Sequence, residues 1–192
     1  VGFNLSDSQA KITKYDLNPD GNIGDHYVGE KIGEIWGFVT DGFYSTDEEA
    51  AGVDNSDIWG GKWLAGDVRY KNLNGDKTAD GKDIISKGHS KLQDPGDRKI
   101  IGNNTARYNY GISLSAEYKN FDFSCLMQGV GKRDLMLGGA YFWGFTDEWR
   151  TPTTEQLDYW TPDNPNAYYP RQRFGGGGNF QSQTKYLQNG AY

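Results

Sequence analysis

The residue pattern with the clearest chemical content lies at Asn72, Asn74, Asp76, Thr78, Asp80 and Asp83. These stand at positions 1, 3, 5, 7, 9 and 12 of a calcium-type loop, in which alternate residues of a tight turn direct oxygens at one hard cation. Thr78 would contribute its backbone carbonyl. Two positions depart from the pattern: Lys77 stands where glycine makes the sharp turn, and Asp83 stands where a bidentate Glu closes the site. The competing reading is an Asx-rich turn that holds no metal, because Asn and Asp side chains close such turns on their own backbone. Calcium is the only ion the sequence suggests, and no cofactor is required.

Other chemistry finds little support. Cys125 is the only cysteine, so no internal disulfide forms. At an apolar strand position a lone cysteine behaves as a small hydrophobe. His26 and His89 fall in loop-like sequence, and no Ser-His-Asp set can be assembled around them. Glu48 and Glu49 read as helix-start residues and Asp163 as a turn residue. The glycines at 175–178 are not followed by Lys-Ser/Thr, so they make no phosphate loop. A glycosidase would need two carboxylates facing across a cleft, and no such pair stands out. The chain is therefore expected not to be an enzyme.

The element that organises the chain is 105–131. Tyr108, Tyr110, Ile112, Leu114, Ala116 and Tyr118 share one face of a strand, opposite Asn109, Gly111, Ser113, Ser115 and Glu117. Lys119-Asn120 breaks the alternation. Phe121, Phe123, Cys125 and Met127 then resume the apolar face, opposite Asp122, Ser124, Leu126 and Gln128, with Leu126 the one exception. Such a hairpin suits an outer-membrane barrel, and it suits a soluble β-sandwich equally well.

Around it, Val1, Phe3 and Leu5 alternate in a further strand. The segment 29–44 has strand-forming residues interrupted by Gly33, Gly37 and Gly42, which predicts a kinked rather than a flat strand. Ser45 with Glu48, or Thr46 with Glu49, fits a capping box over 45–51. Residues 54–67 read as loop, as do 132–147. Thr153 is expected to cap a short helix reaching Tyr159. The three prolines within 160–171 predict a rigid extended path. The tail, 184–192, reads as the start of another strand.

The 192 residues are 35% hydrophobic and 15% aromatic, with 27 glycines, a balance that suits β-structure carrying long polar loops. A net charge of −6 without a basic cluster argues against nucleic acid as a partner. No run of 18 apolar residues is present, which leaves strand crossings open. Val1 enters mid-pattern without Met or signal peptide, and Tyr192 gives no clear ending. The expectation is one domain, 1–192, that is a piece of a longer protein.

Four segments, in order, resemble the C-terminal part of the SusC/RagA family of TonB-dependent outer-membrane transporters: VGEKIGEIWGFVTDGFYSTDEEA (28–50), AGDVRYKNLNGDKTADGKD (65–83), DRKIIGNNTARYNYGISLSAEYKNFDFSCLMQGVGKRD (97–134) and WTPDNPNAYYPR (160–171). The family loop usually runs Asp-Leu-Asn-Gly-Asp-Gly-Lys-Ile-Asp. Here Asn72 replaces its first Asp, and Lys77-Thr78-Ala79 replaces Gly-Lys-Ile.

The resemblance implies an all-β chain: a segment of a large antiparallel transmembrane β-barrel, with long extracellular loops carrying short helices. The parent protein would sit in the cell outer membrane of a Bacteroidetes-type bacterium. It would import oligosaccharides or peptides with energy delivered through TonB, beneath a SusD-like lipoprotein lid. The plug domain and the TonB-binding segment lie in parts absent from this chain. The apolar hairpin face would meet outer-membrane lipid, Lys119-Asn120 would be a periplasmic turn, and Leu126 would point into the lumen. Tyr141, Phe142, Trp143 and Trp149 are the expected loop contacts to substrate or lid. The alternative is a soluble, secreted, β-rich carbohydrate-binding module, stabilised by calcium, in which the Ile112/Leu114 face packs on a second sheet.

Overall fold

The structure is a computed structural model and describes residues 1–145 and 149–192. The far end of the loop expected over 132–147 lies partly outside the described residues. The chain is all-β with little helix. Its strands are β1 (Gly2–Ser6), β2 (Glu34–Phe38), β3 (Thr40–Phe43), β4 (Val53–Asp54), β5 (Val68–Tyr70), β6 (Asp83–Ile84), β7 (Arg98–Asn103), β8 (Arg107–Tyr118), β9 (Phe121–Lys132), β10 (Asp134–Met136) and β11 (Leu187–Asn189), with one α-helix, α1 (Asp47–Ala51).

Strands β1, β8 and β9 form an antiparallel sheet in that order. Its register follows the alternation in the sequence. Phe3 lies opposite Ile112, Leu5 opposite Tyr110, Ile112 opposite Met127, Leu114 opposite Cys125 and Tyr118 opposite Phe121. Directly opposed residues share a face, so three strands contribute to one apolar surface. Lys119 takes φ +51 and Asn120 stays at negative φ, the φ pattern of a type II′ hairpin turn. The sheet is open, with β1 and β9 at its edges among the described residues.

The other ends of these strands run into a layer of loops. One residue, Arg133, separates β9 from β10, and β10 pairs with β11. Strand β7 leads into β8 and pairs with β2, with a register shift between Ile35 and Trp36. The expected kink in 29–44 thus appears as two short strands, β2 and β3, with Gly42 at φ +84 inside β3.

The hydrophobic core sits in this loop layer rather than under the sheet. It is built from Phe38, Tyr44, Trp63, Val68, Tyr70, Ile85, Trp143, Trp160 and Tyr186, all buried. Aromatic rings supply large apolar area and interlock edge-to-face. Trp143 meets Tyr186 at 4.9 Å and 89°, and Phe142 at 4.7 Å and 77°. Most polar groups carried into this core find a partner. Val68 N–H donates to Asn179 Oδ1 at 2.8 Å, Asn179 Nδ2 donates to Asp67 Oδ1 at 2.9 Å, and Tyr70 OH donates to the Gly178 carbonyl at 2.8 Å.

Local signals were realised in part. Of the two capping registers, Thr46 is the N-cap, but only half of the box forms: the Thr46 hydroxyl accepts from Glu49 N–H at 3.1 Å, while Glu49 Oε2 accepts from Ser45 N–H, at 2.6 Å, rather than from Thr46 N–H. The helix expected up to Tyr159 is a 3₁₀ turn, Thr154–Leu157, with Gln156 Oε1 accepting from Thr153 N–H at 2.8 Å. The segment 160–171 is not simply extended. It turns at 161–164, where Asn164 N–H reaches the Thr161 carbonyl at 2.9 Å, and returns so that Trp160 N–H donates to the Tyr169 carbonyl at 3.0 Å. Asn164 Nδ2 fixes this turn on Asp158 Oδ1 at 3.0 Å, an Asx contact that the proline spacing does not announce.

Candidate functional site

The calcium-type loop connects β5 to β6. Its polar side chains are engaged with one another. Asn72 Oδ1 accepts from Gly75 N–H at 2.6 Å, and Asn72 Nδ2 donates to the Asp76 carbonyl at 2.7 Å and to Asp83 Oδ1 at 3.2 Å. Asn74 Oδ1 accepts from Asp76 N–H at 3.0 Å, while its Nδ2 donates to Asp76 Oδ2 at 2.8 Å. The Thr78 carbonyl, expected as a backbone ligand, accepts from Gly81 N–H at 2.9 Å. Asp80 is exposed. Lys77, the residue that breaks the pattern, places its ammonium 2.7 Å from Asp83 Oδ1. This contact, and then the Asn72 amide, hold the Asp83 carboxyl below its usual range. The arrangement is that of an Asx turn in which the Lys77 ammonium pairs with the carboxylate at position 12. Among the described residues, no three His, Cys, Asp or Glu side chains gather as a metal site.

One residue that sequence reasoning passed over anchors this loop from beneath. Asp97 is fully buried. Its Oδ1 accepts from Leu73 N–H at 2.6 Å and its Oδ2 from Ser86 N–H at 2.8 Å. In the sequence it closes an Asp-Pro-Gly-Asp turn, and nothing local distinguishes a turn aspartate from a buried one.

Of the four aromatics expected to contact substrate or lid, the structure separates two from two. Tyr141 is 90% exposed and Trp149 87% exposed. Trp143 is 5% exposed and belongs to the core, and Phe142 packs against that core. Trp143 is thus a core residue rather than a surface contact, and Phe142 is half-buried against it. Their rings are held by Tyr168, Tyr186 and Phe180, from chain segments whose nearness no spacing rule reveals.

Two open clefts flank α1. One, of about 470 Å³, is lined by Thr46, Glu48, Tyr159, Trp160, Arg171 and Gln172 among others. The other, of about 570 Å³, includes Asp41, Tyr44, Glu49, Arg69 and Lys71 and reaches the Asn72/Asp83 turn. In the second, Arg69 pairs with both Asp41 and Glu49, and Lys71 lies 3.3 Å from Asp41. Burial pushes the Tyr44 hydroxyl up to about 12, so it remains a neutral hydrogen-bonding group at any physiological pH.

The remaining feature is the two-sided sheet. On one side Phe3, Leu5, Tyr118, Phe121, Phe123 and Met127 are all exposed, Phe121 to 78%. On the other side Ser113, Ser115, Glu117, Ser124 and Gln128 are exposed as well. Among the described residues, no second sheet lies over this apolar side. Leu126, on the polar side, is also exposed.

No protein-family model matches the chain, and no curated protein sequence is similar to it.

Proposed function

We propose that this chain is part of the barrel of a TonB-dependent outer-membrane transporter of the SusC/RagA type, one that imports oligosaccharides or peptides with a SusD-like lipoprotein. The observation that carries the reading is the apolar face formed by β1, β8 and β9, exposed on every strand. In water a contiguous apolar surface of this kind is a liability, whereas in a bilayer it is what a strand must present. Strands β8 and β9 are 12 residues long, enough for a tilted crossing that needs ~9–11. Tyr118, Phe121 and Phe123 gather at the turn end, where a barrel carries its interfacial aromatic girdle. The polar face would line the lumen.

A short turn at one end of the strands and a thick loop layer at the other match the periplasmic and extracellular ends of such barrels. In this reading the clefts beside α1, together with Tyr141 and Trp149, face the substrate or the lid, and Phe142 and Trp143 hold the loop layer together. TonB would act through parts outside this chain. Fractionation of the parent protein tests the proposal. Recovery in the outer membrane, released only by detergent, is expected; recovery in a soluble fraction would sink it.

A further inference from the structure

The chain contains two Asn-Gly pairs, Asn74-Gly75 and Asn189-Gly190. Asparagine is a labile residue, and a following glycine sets no side chain in the way of its own backbone nitrogen. The fold treats the two pairs differently. Gly190 N–H donates to the Arg133 carbonyl at 2.7 Å, beside the β10–β11 ladder. A side-chain carbon added at Gly190 would lie 2.7 Å from Leu135, so the backbone there is wedged. Asn74 and Gly75 are instead exposed, in the turn between β5 and β6, and nothing lies within 4 Å of the same point on Gly75. The Gly75 N–H is held by a side chain rather than by a ladder: it donates to Asn72 Oδ1 at 2.6 Å.

We infer that Asn74 is a deamidation site whose rate is governed by Asn72, and that its conversion loosens the turn. In the reaction the Gly75 backbone nitrogen loses its proton and attacks Cγ of Asn74. The new N–C bond closes a cyclic imide, and the Cγ–Nδ2 bond breaks as ammonia leaves. Water then opens the imide, at one carbonyl to give aspartate and at the other to give isoaspartate. While Asn72 Oδ1 accepts from Gly75 N–H, that nitrogen keeps its proton and is unavailable as the nucleophile. Each local opening of this exposed turn releases it. The product differs in charge from the starting residue. Asn74 Nδ2 donates to Asp76 Oδ2 at 2.8 Å. Deamidation replaces this donor with a carboxylate, so Asp76 meets a like charge. Asp76 ties the turn to β6, because its carbonyl accepts from Asn72 Nδ2 at 2.7 Å and from Ile84 N–H at 3.0 Å. Repulsion at Asp76 therefore weakens that tie, in a change that runs one way only. The chemistry rests on the turn alone and not on the transporter reading.

Both Asn-Gly pairs can be followed in one sample. The folded parent protein is kept in mildly alkaline buffer, digested with trypsin and weighed by mass spectrometry, where a deamidated peptide gains about one mass unit. The peptide from Asn72 to Lys77 is expected to convert with time while the peptide carrying Asn189 does not; in urea both are expected to convert. Conversion at Asn189 as fast as at Asn74 in the folded protein, or none at Asn74, would overturn the proposal. Asn72→Ala is expected to speed conversion at Asn74 by about three- to tenfold, the factor that one ordinary hydrogen bond supplies. The Asn189 peptide of the same variant reports whether it is folded. An unchanged rate at Asn74, or a rise shared equally with Asn189, would remove Asn72 from its role. In the deamidated fraction, Ile84 N–H is expected to exchange with solvent faster than before, while Val68 N–H, held by the buried Asn179, keeps its rate. Equal protection of Ile84 before and after conversion would overturn the loosening of the turn.

Discussion

The carboxylate of Asp67, with none of its side-chain surface exposed, lies 2.6 Å from the guanidinium of Arg173, which is itself 17% exposed. Asp67 Oδ2 also accepts from Leu64 N–H at 2.8 Å, and the Arg173 guanidinium stacks over the Trp59 ring at 4.7 Å. Burial pushes the Asp67 carboxyl above its usual range, against the pull of its hydrogen-bonding partners and of Arg173. The pair fastens two distant loop segments, so each partner depends on the other.

Removing Arg173 alone strands a buried carboxylate. Arg173→Met is expected to destabilise the loop layer by about 3–5 kcal/mol, whereas the double change with Asp67→Asn recovers part of that loss. Urea unfolding followed by tryptophan fluorescence measures both. Equal midpoints for the single and double variants would show that the pair is uncoupled.

Trp143 and Tyr141 stand two positions apart and should behave oppositely. Trp143→Ala removes a core ring and is expected to cost about 3–5 kcal/mol. Tyr141→Ala should stay within about 0.5 kcal/mol, as surface changes do. If Tyr141 and Trp149 meet the substrate, their double alanine variant lowers uptake in cells while the loop layer melts as before.

Glu49 predicts an acid limb. The backbone N–H of Ser45 first, and then Arg69, hold its carboxyl below the ordinary value of 4.5. A depressed carboxylate stabilises the folded state above its unfolded pKa and loses that contribution as pH falls through the folded value. The urea midpoint should therefore be flat from pH 7 to about 5 and decline below 4.5. Glu49→Gln should lower the neutral plateau and shallow the decline; an unchanged slope would assign the acid limb to other groups.

At the Asx turn, Lys77 occupies Asp83. Lys77→Ala frees that carboxylate, so millimolar calcium should raise the melting temperature of the variant more than that of the unaltered chain, as binding to the folded state requires. Identical calcium responses would mean that the lysine does not control access to the loop.

On the sheet, Leu114 and Ser115 are neighbours on opposite faces. On the transporter reading, Leu114→Arg in the parent protein would place a charge toward lipid and cost about 2–4 kcal/mol, reducing the amount assembled in the outer membrane. On the same reading Ser115→Arg would point into the lumen and should leave assembly intact. Equal effects of the two would contradict a lipid-facing apolar side.

What could be read from the residues divides along the same line. The β8–β9 hairpin was legible throughout, down to the turn at Lys119-Asn120, because period-2 alternation is a local property of a strand with two unlike faces. The Thr46/Glu49 cap was legible for the same reason. The loop core was not. Trp143 and Phe142 look like exposed loop aromatics until Tyr168, Phe180 and Tyr186 close over them. Asp97 looks like a turn residue until the backbone of Leu73 and Ser86 is brought to it. In each case the deciding partner is remote in the chain, and no periodicity encodes it.

That remoteness bears on the order in which the molecule can assemble. The hairpin closes through neighbours such as Tyr118 and Phe121, across a turn of two residues. The loop core waits for partners such as Val68 and Asn179, 111 positions apart, and Tyr70 and Gln183, 113 apart. Contacts of long sequence separation carry the larger closure entropy and form late. The stretch from Asn179 onward supplies those distant partners, so it acts as the latch of the whole layer.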